Sequence, residues 1–289
     1  MSAPIGLSPA HGLVPARTDS TAAVLARAAS PAPHGWAAET MILTGRQLLV
    51  WIRDPFALMT VLGMPILTMI MFKVVLGGVV GSSTGQNSAF GTVPLVILLS
   101  AMFGSLAAAI RLNTERTSGL LGRLATLPIN RGADLSSRVV TELIRILLTT
   151  GILLGAGHSI GFRFTQGVGP AIGIVGVALA FGGAFALFVL SLAVYFPTGA
   201  PVVPLMSLLT SLMMFFNSGF APADGYPGWL QPIVRNQPMT PAVDVMRNLA
   251  AGGPVAHNLL VVLAWSVGIV VVFTYPALRG YARAATARD

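Results

Sequence analysis

The chain has 289 residues, of which 54% are hydrophobic and 9% charged, with a net charge of +8 and a mean hydropathy of +0.80. A water-soluble domain carries about 25% charged residues, so this composition excludes a soluble globular protein and points to an integral membrane protein whose surface mostly faces lipid. With no cysteine, disulfides, thiolate metal sites and a cysteine nucleophile are excluded as well.

Residues 1–35 are rich in Ala, Ser, Pro and Gly, and Arg27 interrupts their longest apolar stretch. No signal-peptide core can be read there, and a disordered cytoplasmic tail is expected. From Trp36 to Asp54 the pattern becomes helical. Met41, Ile42, Gly45, Leu48, Leu49 and Ile52 share one face, while Arg46, Gln47, Arg53 and Asp54 lie largely on the other. Val50 and Trp51 blur the stripe, but the pattern suits a helix in the membrane interface, stopped by Pro55.

Six apolar runs follow, at about 56–76, 92–112, 139–161, 170–195, 202–221 and 256–278, each long enough to cross a hydrocarbon core of about 30 Å. With the N-terminus inside, the cytoplasmic segments hold twelve arginines and the external ones three, Arg163, Arg235 and Arg247. That bias places both termini, including a short tail at 281–289, in the cytoplasm. The positive charge therefore orients a membrane protein and does not imply a nucleic-acid partner.

The largest cytoplasmic loop is then residues 113–138, containing ERTSGLLGRLATLPINRGADLSSR. Its arginines explain its side of the membrane, but a plain connector needs neither its length nor the helix-like LLGRLATL. Residues 77–91 read as a flexible external loop. Residues 222–255, punctuated by Pro222, Pro227, Pro232, Pro238 and Pro241 and carrying Trp229, are too broken to span. They suit short or re-entrant helices at the outer interface. Glycines four apart, Gly151 and Gly155, Gly157 and Gly161, Gly169 and Gly173, are candidates for close helix packing.

No catalytic residue is assigned. The single lysine, Lys73, has no glycine loop before it, so no P-loop is present. His11, His34, His158 and His257 are not at metal-ligand spacing, so no metal site is expected. Ser, His and Asp form no triad pattern, which disfavours an enzyme. Glu142 is the acid inside an apolar run, and Arg145 one turn on reads as its partner in an interfacial ion pair, ahead of a proton relay. Met206, Met213, Met214, Phe215 and Phe216 make an adaptable apolar wall suited to a bulky hydrophobic cargo, or to ordinary helix packing.

Glu115, Arg116, Gly119, Arg123, Leu124, Pro128 and Arg131 resemble the Glu-Arg, Gly, Arg-Leu, Pro, Arg pattern of ABC-2 type exporter permeases, although Leu120 and Gly122 stand where many members have Thr and an acid. Phe220, Pro222, Pro227, Gly228, Trp229, Leu230, Gln231, Asn236, Pro238, Val243, Asp244 and Arg247 resemble the daunorubicin-resistance (DrrB-like) branch, and Arg53, Asp54, Pro55 and Pro65 also match. The resemblance covers about residues 36–280.

It implies an all-α integral membrane protein of six transmembrane helices in a bacterial plasma membrane. It adds an elbow helix at Arg46, Trp51, Arg53 and Asp54, a coupling helix in the charged loop, and external re-entrant helices marked by Trp229, Asp244 and Arg247. The implied partners are a nucleotide-binding ATPase subunit, which binds ATP and Mg so that this chain needs no cofactor, and a second permease, the same chain or a related one. The implied cargo is hydrophobic or amphipathic, either anthracycline-like drugs or, in mycobacterial members, phthiocerol dimycocerosate lipids. From the residues alone, a transporter driven by an ion gradient and a membrane scaffold that docks a lipid-synthesis enzyme stay open.

Overall fold

The computed structural model describes residues 35–84, 89–119, 131–162, 167, 169–197, 199–219 and 221–284. The expected N-terminal tail lies outside the described residues. Those described are helical or irregular, with no strand among them.

Helix α1 (Trp36–Arg53) is the expected amphipathic segment. Asp54 does not belong to it. Its carboxylate accepts from Phe56 N at 3.1 Å and Ala57 N at 3.0 Å, capping the short α2 (Pro55–Leu58), and Pro55 opens that helix. Proline at a first helical position loses no bond, because that N–H has no intrahelical acceptor. A π-helical turn (Met59–Gly63) joins α2 to α3 (Met64–Thr84). Pro65 follows this widened turn after Met64, and in a regular α-helix its ring would crowd the carbonyl of Val61, which lies within the turn. Helix α3 runs on through most of the segment expected to be an external loop at 77–91.

Next come α4 (Ala89–Thr117) and α5 (Arg131–Ser159), which extend into the charged loop from both sides. Helix α6 (Gly169–Tyr195) matches the fourth apolar run. The fifth run gives α7 (Val202–Phe215), only 14 residues long. At 1.5 Å per residue it reaches about 21 Å, short of a bilayer core of about 30 Å. Among the described residues five helices are long and apolar enough to cross a membrane, so this is a multi-pass membrane protein.

The proline-rich stretch forms a 3₁₀ turn (Ala223–Gly225), α8 (Gln231–Asn236) and α9 (Met239–Ala251). Gly252 ends α9 in the left-handed region at φ +82°, where its N–H reaches Asn248 O at 2.8 Å. Glycine alone adopts that cap without strain. The last helix is α10 (Ala256–Ala284).

Helix α6 is apolar all round and α4 is so as far as Ile110, as central helices must be, and they form the core with α9. Ala242, Val243, Val245 and Met246 of α9 are fully buried against α4, α6 and α10. Helices α3 and α10 leave large apolar side chains outward, among them Val74, Leu260 and Val271.

Close helix approach falls at glycines other than most of those picked by spacing. Gly151, Gly155 and Gly169 have open space, whereas a Cβ at Gly182 would lie 2.8 Å from Ile146 and 3.0 Å from Ala101. Gly173, facing Leu249, and Gly157, facing Val93, are the spaced glycines that do pack tightly. Four-residue spacing marks a face of one helix but not what stands opposite it. Gly182→Leu should lower the stability of the purified protein by about 1–3 kcal/mol through overpacking, while Gly151→Leu should leave it unchanged, as read by thermal unfolding in detergent.

Candidate functional site

The charge missing from the rest of the chain collects where α1, the end of α4 and the start of α5 meet. Asp134, Arg138, Glu142 and Arg145 are spaced four, four and three residues apart on α5, so they line one helical face. Arg138 donates from Nε to Asp134 Oδ2 at 3.1 Å and from Nη2 to Glu115 Oε2 on α4 at 2.5 Å. One turn deeper, Arg145 donates to Glu142, and Arg111 on α4 stands 3.8 Å from the same carboxylate. Glu142 and Arg145 are each 2% exposed, so the expected pair forms and is buried between helices.

Burying two ions is costly unless their geometry is good, and here a glycine makes room. The Arg145 guanidinium lies directly over Gly104 of α4, in the space a Cβ would fill. Its Nε finds no acceptor among the described residues.

Helix α1 closes the cluster from outside with its less apolar side. Thr40, Thr44 and Trp51 are buried, Gln47 Nε2 donates to Ser137 Oγ at 3.0 Å, and Thr44 Oγ1 reaches Ser137 O at 3.4 Å. The apolar stripe of Met41, Ile42, Leu49 and Ile52 remains exposed. Arg46, Gln47, Trp51, Arg111, Glu115 and Glu142 border a small cavity of about 60 Å³ under the helix. Arg116, next to Glu115, donates to the carbonyls of Ala193 and Phe196, tying the end of α4 to that of α6. A cation is favourable at such a C-terminus.

The remaining loop residues divide. Gly119 follows α4 at φ +71°, Arg131 opens α5, and Arg123, Leu124 and Pro128 lie outside the described residues. Arg53 is exposed in the last turn of α1.

The methionine and phenylalanine group of α7 is split. Met206 is in the core and Phe215 is exposed. Met214 borders a cavity of about 470 Å³ against α3 and α4. Met213 and Phe216 line another, of about 600 Å³, among α6, α7, α8 and α10, together with Trp229. Asp244 and Arg247 lie elsewhere, 3.6 Å apart. Ser218 Oγ donates to Asp244 Oδ1 at 2.7 Å, and Arg247 donates to Ser218 O. Burial pushes the Asp244 carboxyl above the usual carboxylate range, opposed by the Ser218 hydrogen bond and by Arg247.

Among the described residues no three His, Cys, Asp or Glu side chains gather as metal ligands. The sequence reading missed Gly104, Arg111 and the Gln47–Ser137 link. Of the charge stripe on α5, only Glu142 with Arg145 was read from the spacing; Asp134 and Arg138 as their continuation, and the partners on α4 and α1, were not.

The ABC-2 type transporter family model matches residues 38–250. The chain belongs to the ABC-2 type transporter family. It is 39% identical over 249 residues, 86% of this chain and 90% of the relative, to the probable doxorubicin resistance ABC transporter permease protein DrrC of Mycobacterium tuberculosis. It is 26% identical over 262 residues, 89% of this chain and 91% of the relative, to the daunorubicin resistance ABC transporter permease protein DrrB1 of Streptomyces coeruleorubidus. Against the doxorubicin resistance permease DrrB of M. tuberculosis, identity is 28% over 221 residues, 72% of this chain and 76% of the relative. The resemblance to drug-resistance permeases is thus real, and it extends to relatives named DrrC as well as DrrB.

In this ABC-2 transporter, removing one member of the buried pair strands the other. Glu142→Gln or Arg145→Met should each cost about 3 kcal/mol, and the Glu142→Leu, Arg145→Met double variant should recover most of that loss. A double-mutant cycle by thermal unfolding measures it.

Proposed function

We propose that the chain is the membrane-spanning permease of an ATP-driven exporter for hydrophobic or amphipathic compounds, working with a separate nucleotide-binding ATPase and a second permease. In this reading it crosses a bacterial plasma membrane six times with both termini inside. Helix α7 is the fifth crossing, completed by the chain beyond Phe215. Helices α8 and α9 re-enter from outside. The cargo is drug-like, as in the names of the relatives, or a complex lipid such as phthiocerol dimycocerosate.

Family membership supports the permease role. The observation that carries the coupling role is the charged junction of α1, α4 and α5. Helix α1 is bonded to Ser137, Glu115 pairs with Arg138, and Arg116 holds the end of α6. A push on α1 or on the loop after α4 is thus delivered to three long helices at once. Movement transmitted this way requires contacts that differ between two states, and a partner that binds and hydrolyses ATP supplies the difference. Glu115, Arg116, Gly119, Arg123, Leu124, Pro128 and Arg131 form the loop side of that receiving surface, and Arg46, Trp51 and Arg53 the helix side.

The test is to purify the tagged chain in mild detergent, identify an associated ATPase, and measure ATP-dependent export in vesicles. Thr44→Val with Gln47→Ala removes side-chain links worth about 1 kcal/mol each. Export should fall roughly tenfold while the ATPase still co-purifies. Unchanged export would contradict the coupling role. Export that survives ATP depletion but stops when the proton gradient is collapsed would contradict the ATP-driven reading.

A further inference from the structure

The small cavity under α1 is surrounded by more hydrogen-bond donors than its acceptors can engage. Arg46, Arg111, Arg138 and Arg145 border it, against Glu115 and Glu142. That leaves a surplus of two positive charges, or of one when Asp134, which Arg138 also engages, is counted. Arg138 is held by Asp134 and Glu115, and Arg145 by Glu142. Arg111 stands 3.8 Å from Glu142, beyond hydrogen-bond distance. The exposed Arg46 makes no ion pair among the described residues. Two further donors, Trp51 Nε1 and Arg145 Nε, are buried without an acceptor among the described residues. An indole N–H can only donate, and burying it unsatisfied is unfavourable.

These donors converge on one space from three helices: Arg46 and Trp51 from α1, Arg111 from α4 and Arg145 from α5. At about 60 Å³ the space has room for several waters or for one tetrahedral oxyanion. Water satisfies the donors but leaves the charge surplus standing. An oxyanion answers both, because its oxygens accept charge-assisted bonds from guanidinium and indole groups together.

The mouth of the cavity points to the source of the anion. Arg46 and Val50, one turn apart on α1, are both exposed and both border it. Beside them runs the outward apolar stripe of Met41, Ile42, Leu49 and Ile52, which suits a helix seated in a membrane interface. A group entering there passes between a cation and an apolar surface, so a lipid phosphate can enter while its acyl chains stay outside. Basic pockets between membrane helices hold anionic head groups in this way.

We infer that the cavity beneath α1 binds the phosphate of an anionic phospholipid, which ties α1 to α4 and α5 by accepting from all three. The inference goes beyond the permease reading and uses of it only the seat of α1 in the membrane interface. The lipid is a resident part of the junction and not the exported cargo.

For the test, the full chain in dodecyl maltoside is titrated at constant ionic strength with dioleoylphosphatidylglycerol, dioleoylphosphatidylcholine or sodium phosphate. Native mass spectrometry counts bound lipid, and thermal unfolding reads the gain in midpoint over the lipid-free chain. Phosphatidylglycerol should saturate at a single tightly held molecule per chain. Phosphatidylcholine, whose ammonium meets the arginines, should bind about tenfold more weakly. Trp51→Phe should weaken phosphatidylglycerol about tenfold and Arg46→Gln about fivefold. Arg279→Gln, which removes the same charge from α10 outside the cavity lining, should leave binding unchanged. Each variant is read as a lipid-dependent gain, so a change in its own stability cancels. If Trp51→Phe loses its helical signal, the exposed Arg46 carries the test. Equal binding of the two lipids, absence of saturation, equal loss in Arg46→Gln and Arg279→Gln, or undiminished binding by a folded Trp51→Phe would each overturn the inference. Sodium phosphate giving the same gain as the lipid at the same concentration would overturn it in favour of a free oxyanion. ATPase co-purification, measured on the same preparations, separates the two failures: a chain that recruits its ATPase but binds no lipid here removes only this site, whereas one that recruits no ATPase removes the permease reading.

Discussion

A carboxylate and a guanidinium taken out of water must hold each other, because neither has solvent to fall back on. Glu142 and Arg145 are in that position, and the surrounding architecture follows from it. Arg145 fits only because α4 presents Gly104 at that level. Arg111 approaches the same carboxylate from α4. Nearer the ends of these helices, Glu115 and Arg138 repeat the cross-helix pairing where water has more access. Helices α4 and α5 are thereby locked in register by charge, in a chain where most other contacts are apolar and could slide. Helix α1 then lies across the locked pair and adds its own hydrogen bonds.

The contrast with α7 bears on function. That helix is short, and three of its side chains, Met206, Thr210 and Met213, are buried. It has cavities on two sides, neither with a charged lining residue, one bordered by four hydroxyl side chains and the other largely by aromatic rings. A charge-locked group of helices beside a loosely held one is the arrangement in which displacement at one end can open or close space elsewhere.

Much of this was legible in the sequence because a membrane chain declares its helices by length and polarity. The apolar runs each gave rise to a helix, that at 170–195 within a residue of its expected bounds, whereas α3, α4, α5 and α10 run five to eight residues past theirs at one end; α1 ends one residue before Asp54. The exceptions have physical causes. Asp54 looked like the end of one helix, but a short acid before proline caps the next one. The run at 202–221 kept its apolar character past the point where its backbone leaves the helix at Phe216. Helix α1 shows its apolar stripe outward and packs through Thr40, Thr44, Gln47 and Trp51, a face that hydrophobic periodicity cannot single out. Glu142 with Arg145 was visible as a pair, but burial and the role of Gly104 depend on a second helix. Spacing along one helix is silent about its neighbour.

On this account helices α4 and α5, locked by charge, and α1, hydrogen-bonded to α5, move as one unit while the wall formed by α7 shifts against them. The absence of native cysteine permits spin labels at exposed sites, Leu49 on α1 with Leu147 on α5, and Leu208 on α7 with Val271 on α10. Pulsed electron-electron distance measurements on the chain assembled with the proposed ATPase, without nucleotide and with ATP trapped, read both pairs. The Leu49–Leu147 distance should stay fixed while the Leu208–Val271 distance changes. A nucleotide-dependent change between α1 and α5, with α7 and α10 stationary, would contradict the account.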